Sequence, residues 1–108
     1  MHTLVLLAAL SSQITFKTSQ EGEMTTIIPQ VTLTHACLCQ VHIDFSRHGL
    51  GGNSTSTQRN TLNIPANQPI DLSRLSVNIH ALDAVTLVVT VSDGESLHLT
   101  QRWPSSER

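Results

Sequence analysis

The chain has 108 residues, enough for one domain with a modest hydrophobic core. Six Lys and Arg residues against eight Asp and Glu give a formal net charge of −2, which argues against a nucleic-acid-binding protein, since such a protein needs a concentrated basic face. One Trp, two Phe and no Tyr leave no aromatic platform on which bases or sugars would stack. The abundance of Ser and Thr favours strands and turns over helices.

The chain opens with a short apolar run over residues 4–10, followed by Ser11 and Ser12. This run is too short to span a bilayer. It fits either the hydrophobic part of a secretory leader, although no Lys or Arg precedes it, or a first strand buried in the fold. We predict a leader over residues 1–10, with its cleavage point left open, and a single domain over residues 11–108. In an exported protein the cysteines would meet an oxidising compartment.

Alternating apolar residues predict three strands in the first half of the chain. The first contains Ile14 and Phe16, and a turn follows it at residues 20–23. The second covers residues 24–35, where Pro29 indicates a sheet edge or a bulge. The apolar face of the third strand consists of Cys37, Cys39, Val41, Ile43 and Phe45.

The second half of the chain predicts four more strands. They lie around residues 62–64, 75–79, 85–91 and 97–99. Residues 48–57 are rich in Gly, Ser, Thr and Asn and are predicted as a mobile loop. Asp93-Gly94 is a tight-turn signal that makes the last two strands a hairpin. Short strands with regular turn signals predict an all-β fold, a seven-stranded immunoglobulin-like β-sandwich.

Cys37 and Cys39 are the only cysteines and share one face of the third strand. A strand rises about 3.3 Å per residue, so their Cα atoms would lie about 6.6 Å apart, near the upper limit for a disulfide. The pair is therefore either a strained, easily reduced redox pair or two small thiols packed in the core, and the spacing favours packed thiols. His35 shares this face, but without an evident fourth ligand we predict no metal and no cofactor.

The sequence contains no motif of an established enzyme class. No recognisable Ser-His-Asp arrangement occurs, and the cysteines lack the two-residue spacing and βαβ context of a thioredoxin-like enzyme. The basic residues fall about one to each predicted element: Lys17, Arg47, Arg59, Arg74 and Arg102. They could converge on one face of a sandwich, although scattered solubilising charges are the favoured interpretation.

Several segments resemble the CsgC family of curli assembly proteins, in order and over nearly the whole chain. They are residues 11–16, 26–29, 31–34, 37–39, 65–70, 88–94 and 96–99. The likeness is weakest over residues 43–61, and His35 departs from the family pattern. The resemblance implies a periplasmic protein with an immunoglobulin-like fold and a short cleaved leader. It also implies a redox-capable Cys-X-Cys pair, carried here onto Cys37 and Cys39.

The resemblance further implies a role in curli biogenesis, in which the protein keeps the disordered major fibre subunit from polymerising before secretion. The minor subunit and the secretion channel are further candidate partners, whereas we predict no nucleic-acid partner and no membrane span. The alternative is a thiol-disulfide oxidoreductase that acts on curli secretion components through Cys37 and Cys39. We favour the chaperone, because weak contacts from a sheet face or edge need no cysteine and both cysteines are predicted to face inward.

Overall fold

A computed structural model of the chain describes residues 11–49, 52–79 and 83–104, so the predicted leader lies outside the described residues. In these ranges the chain forms eight β-strands and no helix, and therefore no helix that could cross a membrane. The strands are β1 (Gln13–Glu21), β2 (Met24–Thr32), β3 (Cys37–Gly49), β4 (Gly52–Ile64), β5 (Ile70–Asp71), β6 (Leu75–Asn78), β7 (Ala84–Ser92) and β8 (His98–Trp103). The all-β prediction is confirmed. The count of seven was wrong, because β5 has only two residues and is too short to produce an alternating pattern.

The strands form two antiparallel sheets that pack into a sandwich. In the first sheet β2 pairs with β1 on one side, and with β5 and β6 on the other. The second sheet has the order β4-β3-β7-β8. Alternate side chains of both sheets meet in one core, where Ile27 of β2, Ile43 of β3 and Leu87 of β7 are almost completely buried. Burying one such side chain stabilises the fold by about 1.5–3 kcal/mol.

Pro29 lies in the middle strand of the first sheet, so the prediction that it marks a sheet edge or a bulge was wrong. On the side of β2 away from β1, β6 pairs with residues 24–27 and β5 pairs with residues 30–31. Pro29 falls in the interval between these two partners, and its carbonyl accepts a hydrogen bond from the Leu72 N–H at 2.8 Å. A proline nitrogen has no hydrogen to donate, and at this interval no strand requires one.

The prediction of a mobile loop over residues 48–57 was also wrong over its described part, because residues 48–49 belong to β3 and residues 52–57 to β4, whereas residues 50–51 lie outside the described residues. The register of β3 with β4 runs without a bulge from Cys37 opposite Ile64 to Gly49 opposite Gly52. Most of β4 is exposed, and only Gln58, Leu62 and Ile64 are partly or fully buried. A strand with solvent on both faces needs no apolar alternation, so its sequence carries no period-2 signal.

The last hairpin, β7 with β8, is confirmed. The N–H of Asp93 donates to the Leu97 carbonyl at 3.2 Å, which continues the β7–β8 ladder by one pair. The Asp93 carboxylate accepts the N–H groups of Glu95 at 2.7 Å and of Leu97 at 3.1 Å. Gly94 has φ of 84°, in the left-handed region that glycine adopts most readily. The turn is therefore fixed both by side-chain hydrogen bonds and by the conformational freedom of glycine.

Candidate functional site at the Cys37–Cys39 disulfide

The Sγ atoms of Cys37 and Cys39 are joined in a disulfide. Their Cα atoms lie 5.3 Å apart, closer than the roughly 6.6 Å of an extended strand and within the usual range for a disulfide. Because both cysteines of the chain take part in this bond, the interpretation as packed free thiols was wrong. The shared face predicted from their spacing is confirmed, since a bond across one intervening residue requires both side chains on the same side of the strand.

The two cysteines differ in exposure. Cys39 is fully buried in the core between the sheets, whereas Cys37 is only partly buried and packs against the edge of that core. Leu38 points to the opposite side of the strand and is 70% exposed. Any reagent that reaches this pair from solvent therefore meets Cys37 first.

The disulfide lies where β3 extends beyond one of its two neighbours. β4 pairs with β3 from Cys37 onward, whereas pairing between β3 and β7 begins only at Gln40 opposite Ser92. Residues 37–39 consequently have a described strand partner on one side only. This open side is what makes part of Cys37 accessible.

A groove of about 320 Å³ occupies the open side. Its walls are Ser12, the connection over residues 33–36, the β7–β8 turn and Cys37, whereas Cys39 does not line it. Ser12 Oγ accepts the Thr34 N–H at 3.0 Å, which fixes the connection against the segment that precedes β1. The Thr34 hydroxyl lies 3.2 Å from Nδ1 of the exposed His35. The groove thus brings together one half of the disulfide and an imidazole held by its neighbour.

His35, Cys37 and Cys39 do not form a metal site in this state of the protein. Both sulfurs are bonded to each other, so neither is a free thiolate ligand. Across the residues that the structure describes, no group of three or more His, Cys, Asp or Glu side chains is placed to hold a metal ion.

The five basic residues within the described ranges do not converge on one face. Arg59 of β4 and Arg102 of β8 share the outer face of the second sheet, while Lys17 has the parity of the outer face of the first. The Arg47 guanidinium donates from Nη1 to the Asn78 carbonyl at 2.7 Å, and the exposed Arg74 lies on the connection between β5 and β6. Two cations on one broad face are what the structure offers an acidic or polar partner.

The outer face of the second sheet is a functional candidate that sequence reasoning missed. It consists of Leu38, Gln40, His42, Asp44, Ser46 and His48 of β3, alternate residues 53–63 of β4, alternate residues 84–92 of β7, and His98, Thr100 and Arg102 of β8. Hydroxyl, amide and imidazole groups dominate it. Its hydrogen bonds include Thr90 Oγ1 to Thr100 Oγ1 at 3.4 Å. These positions form one surface because β4 pairs with β3 along its whole length. The composition of residues 48–57 is typical of a loop, so the sequence did not predict this pairing.

Comparison with known proteins agrees with this architecture. A solved structure of the E. coli curli protein CsgC has a TM-score of 0.85 to this chain at 61% identity, covering 87% of this chain and 99% of that chain. The solution structure of R. palustris CsgH has a TM-score of 0.65 at 14% identity, covering 82% of this chain and 89% of that chain, which shows a shared fold alone.

The sequence comparisons give the family. The curli assembly protein CsgC of Salmonella typhimurium is 63% identical over 106 residues, covering 98% of both chains. The curli assembly protein CsgC of Escherichia coli K12 is 61% identical over 106 residues, covering 98% of this chain and 96% of that protein. The model of a family described as thin aggregative fimbriae synthesis proteins matches residues 5–103. With a match of this extent, the chain belongs to the CsgC family of thin aggregative fimbriae synthesis proteins.

Proposed function

We propose that this protein acts in curli assembly as a chaperone-like factor that keeps the amyloid-forming fibre subunit from polymerising before secretion. Its relatives are named curli assembly proteins, which supports a role in curli biogenesis. The observation that carries the chaperone proposal is the outer face of the second sheet, which is broad, polar and crossed by rows of hydroxyl groups. Such a face offers many weak hydrogen bonds to an extended client.

The chemistry of this face suits brief contacts better than stable binding. Leu38 and Val88 are its only large aliphatic side chains, so little apolar surface is available to hold a partner. Arg59 and Arg102 favour client segments that carry carboxylates, with an attraction that salt would weaken. A disordered client that is repeatedly held in this way spends less time in contact with other clients, which delays the formation of a β nucleus.

The cellular setting and the fold class belong to the same proposal. We place the protein in the periplasm, with residues 1–10 acting as a short leader. We class the sandwich as immunoglobulin-like, because its two antiparallel sheets enclose a core of alternating inward side chains, as in that fold. The partners are then the major fibre subunit and, as secondary candidates, the minor subunit and the secretion channel.

Fibre formation by the curli major subunit tests this function, with a trace of wild-type protein or a variant added. Thr100→Glu with Arg102→Glu reverses charge on the outer face of the second sheet. Lys17→Glu with Ser19→Glu makes the same change in formal charge on the outer face of the first sheet, where both residues are exposed. We expect the wild type and the Lys17 control to delay fibre formation, and the Arg102 variant to need about tenfold more protein for the same delay. Equal delay by both variants would remove the outer face from the mechanism.

The alternative function, thiol-disulfide exchange, is favoured by one observation: Cys37 lines a groove together with His35. In that reaction a substrate thiolate would attack Sγ of Cys37, and the electron pair of the broken S–S bond would leave on Cys39. A second substrate thiolate would then attack the substrate sulfur of the mixed disulfide and release Cys37, so that the substrate is oxidised and the pair is reduced. The leaving thiolate would form at fully buried Cys39, which is unfavourable.

The cysteines provide the experiment that separates the two functions. A Cys37→Ser, Cys39→Ser variant that still folds should delay fibre formation as the wild type does if the protein is a chaperone. Loss of the delay in a folded variant would make the Cys-X-Cys pair the active site. The wild type treated with reductant serves as a second control, because it retains both cysteines.

A further inference from the structure

The outer edge of β4 is the longest strand edge in the described part of the chain that has no strand partner. It has thirteen residues, whereas the opposite edge of the same sheet, β8, has six. Native proteins usually protect such edges with lysines, prolines, bulges or short strands. β4 contains neither Lys nor Pro, pairs with β3 without a bulge, and carries Arg59 as its only charge.

The hydrogen-bond pattern shows which backbone groups of β4 face this edge. Because the Asp93 N–H bonds to Leu97, odd-numbered residues of β7 bond to β8 and even-numbered residues bond to β3. Even-numbered residues of β3 therefore bond to β7, and its odd-numbered residues bond to β4. In β4 the partners of those residues are even-numbered, so odd-numbered residues 53–63 direct their N–H and C=O groups away from β3. The side chains of these same odd-numbered residues lie on the outer face of the sheet.

We propose that this edge pairs with the β4 edge of a second copy of the chain, in an antiparallel two-fold dimer. The register that places Gly52 opposite Ile64 of the second copy pairs all thirteen residues. It places Asn53 opposite Asn63 and Thr55 opposite Thr61, so amides face amides and hydroxyls face hydroxyls. The odd-numbered residues then exchange backbone hydrogen bonds with one another, as an antiparallel pair requires.

Charge complementarity selects this register over the one centred on Arg59. A shift that centres the pair on Arg59 would set two arginines directly opposite each other, which is unfavourable. In the proposed register Arg59 lies opposite Thr57 of the second copy, in the same row as Asp44. Thr57 donates to Asp44 Oδ1 at 2.9 Å, and His42 Nε2 lies 3.4 Å from the same oxygen, which leaves the other carboxylate oxygen for a guanidinium.

The distance also permits this contact. Neighbouring strands lie about 4.8 Å apart, so Arg59 of one copy and Asp44 of the other would have Cα atoms about 9.6 Å apart, within the combined reach of their side chains. The two-fold axis generates the same contact a second time, with the two copies exchanged. The dimer joins both second sheets into one eight-stranded sheet, and the two outer faces become a single continuous surface.

The interface is a strand edge rather than a broad patch, so we expect a weak dimer with a dissociation constant on the order of 100 µM. Sedimentation velocity from about 10 µM to about 1 mM would show a rise from monomer to dimer. Over the same range, hydrogen exchange should slow at odd-numbered β4 amides, while even-numbered amides, already bonded to β3, remain unchanged. A wild type that stays monomeric throughout would overturn the proposal.

Three variants test the geometry. Thr55→Pro removes an outward N–H without removing a hydrogen bond to β3, and should weaken association at least about tenfold, whereas Thr55→Ala keeps that N–H and should not. Arg59→Glu should abolish association, and Asp44→Arg added to it should restore dimerisation by exchanging the charges. Thermal unfolding at low concentration shows that each variant folds.

The proposed edge would be refuted if Thr55→Pro left dimerisation unchanged. The proposed register would be refuted if Asp44→Arg failed to restore dimerisation of the Arg59→Glu variant. Protection of odd-numbered amides only when the curli subunit is added, and never with concentration alone, would assign the edge to the client instead. Neither result depends on the chaperone activity, which the Arg102 and Lys17 variants test separately.

Discussion

Reducing the disulfide should destabilise this protein less than reducing a long-range disulfide would, because the loop that it closes is very short. In the chain-entropy treatment, a cross-link removes about 2.1 + 1.5R ln n cal/mol/K from the unfolded state, where n is the number of residues in the loop. Residues 37–39 give a loop of three, so the loss corresponds to about 1.6 kcal/mol at 25 °C, against about 4.7 kcal/mol for a loop of 100 residues.

Urea denaturation with and without reductant measures this difference directly. We expect the free energy of unfolding to fall by about 1.6 kcal/mol, and the melting temperature to fall by about 6–12 °C, with no change in the cooperativity of the transition. Mass spectrometry after alkylation confirms that both thiols are free in the reduced sample. A loss above about 4 kcal/mol would refute the reasoning, since it would mean that the bond holds the native packing together beyond constraining the unfolded chain.

Burial separates the effects of serine substitution at the two cysteines. Cys39 is fully buried, so Cys39→Ser places a hydroxyl in an apolar site and should cost about 1–3 kcal/mol beyond reduction alone. Cys37 lies partly exposed at the groove, where a serine hydroxyl can reach water. Cys37→Ser should therefore be no less stable than the reduced wild type. A larger loss at Cys37 than at Cys39 would contradict the exposures on which this argument depends.

Three further substitutions test the packing and the last turn. Leu87 is completely buried, so Leu87→Ala empties part of the core and should lower the free energy of unfolding by about 3 kcal/mol. Leu38 is 70% exposed, so Leu38→Ala should change the free energy of unfolding by less than about 0.5 kcal/mol. Gly94→Ala should cost about 1 kcal/mol, because φ there is 84° although the added Cβ would meet no neighbouring atom. Urea denaturation measures all three, and a neutral Gly94→Ala would show that the turn relaxes to an ordinary φ.

The sequence predicted the elements that have one buried face. β3 and β7 bury alternate Val, Ile and Leu side chains, so their period of two is visible in the chain and their places in the core were predicted correctly. β4 has solvent on most of both faces, and β5 is held by two backbone pairs, so neither carries a side-chain signal. What holds β4 in place is the register inherited from β3, a non-local property that composition does not encode.

The candidate site was predicted to a similar extent. The shared face of Cys37 and Cys39 followed from alternation, but the bond between them depended on a local contraction of the strand that ideal geometry does not supply. The difference in exposure between them arises because β7 stops short of residues 37–39. Strand ends of this kind depend on how the sheets are assembled, so the groove was not predictable from spacing, although alternation had placed His35 on the same face as the cysteines.

The proposed inhibition of amyloid formation conflicts physically with a long unprotected strand edge, because such an edge is itself a template for strand addition. Charged residues along β4 would block this, but they would also replace the hydroxyl and amide groups of the outer face, since the odd-numbered positions supply both the edge and that face. A second copy that covers the edge protects it without any such replacement of side chains. The backbone groups are then satisfied, and the outer side chains stay available except Arg59 and Asp44, which pair across the dimer. Inhibition should therefore become stronger above the dimer dissociation constant, whereas an edge that recruited clients by strand pairing would inhibit less well once it was covered.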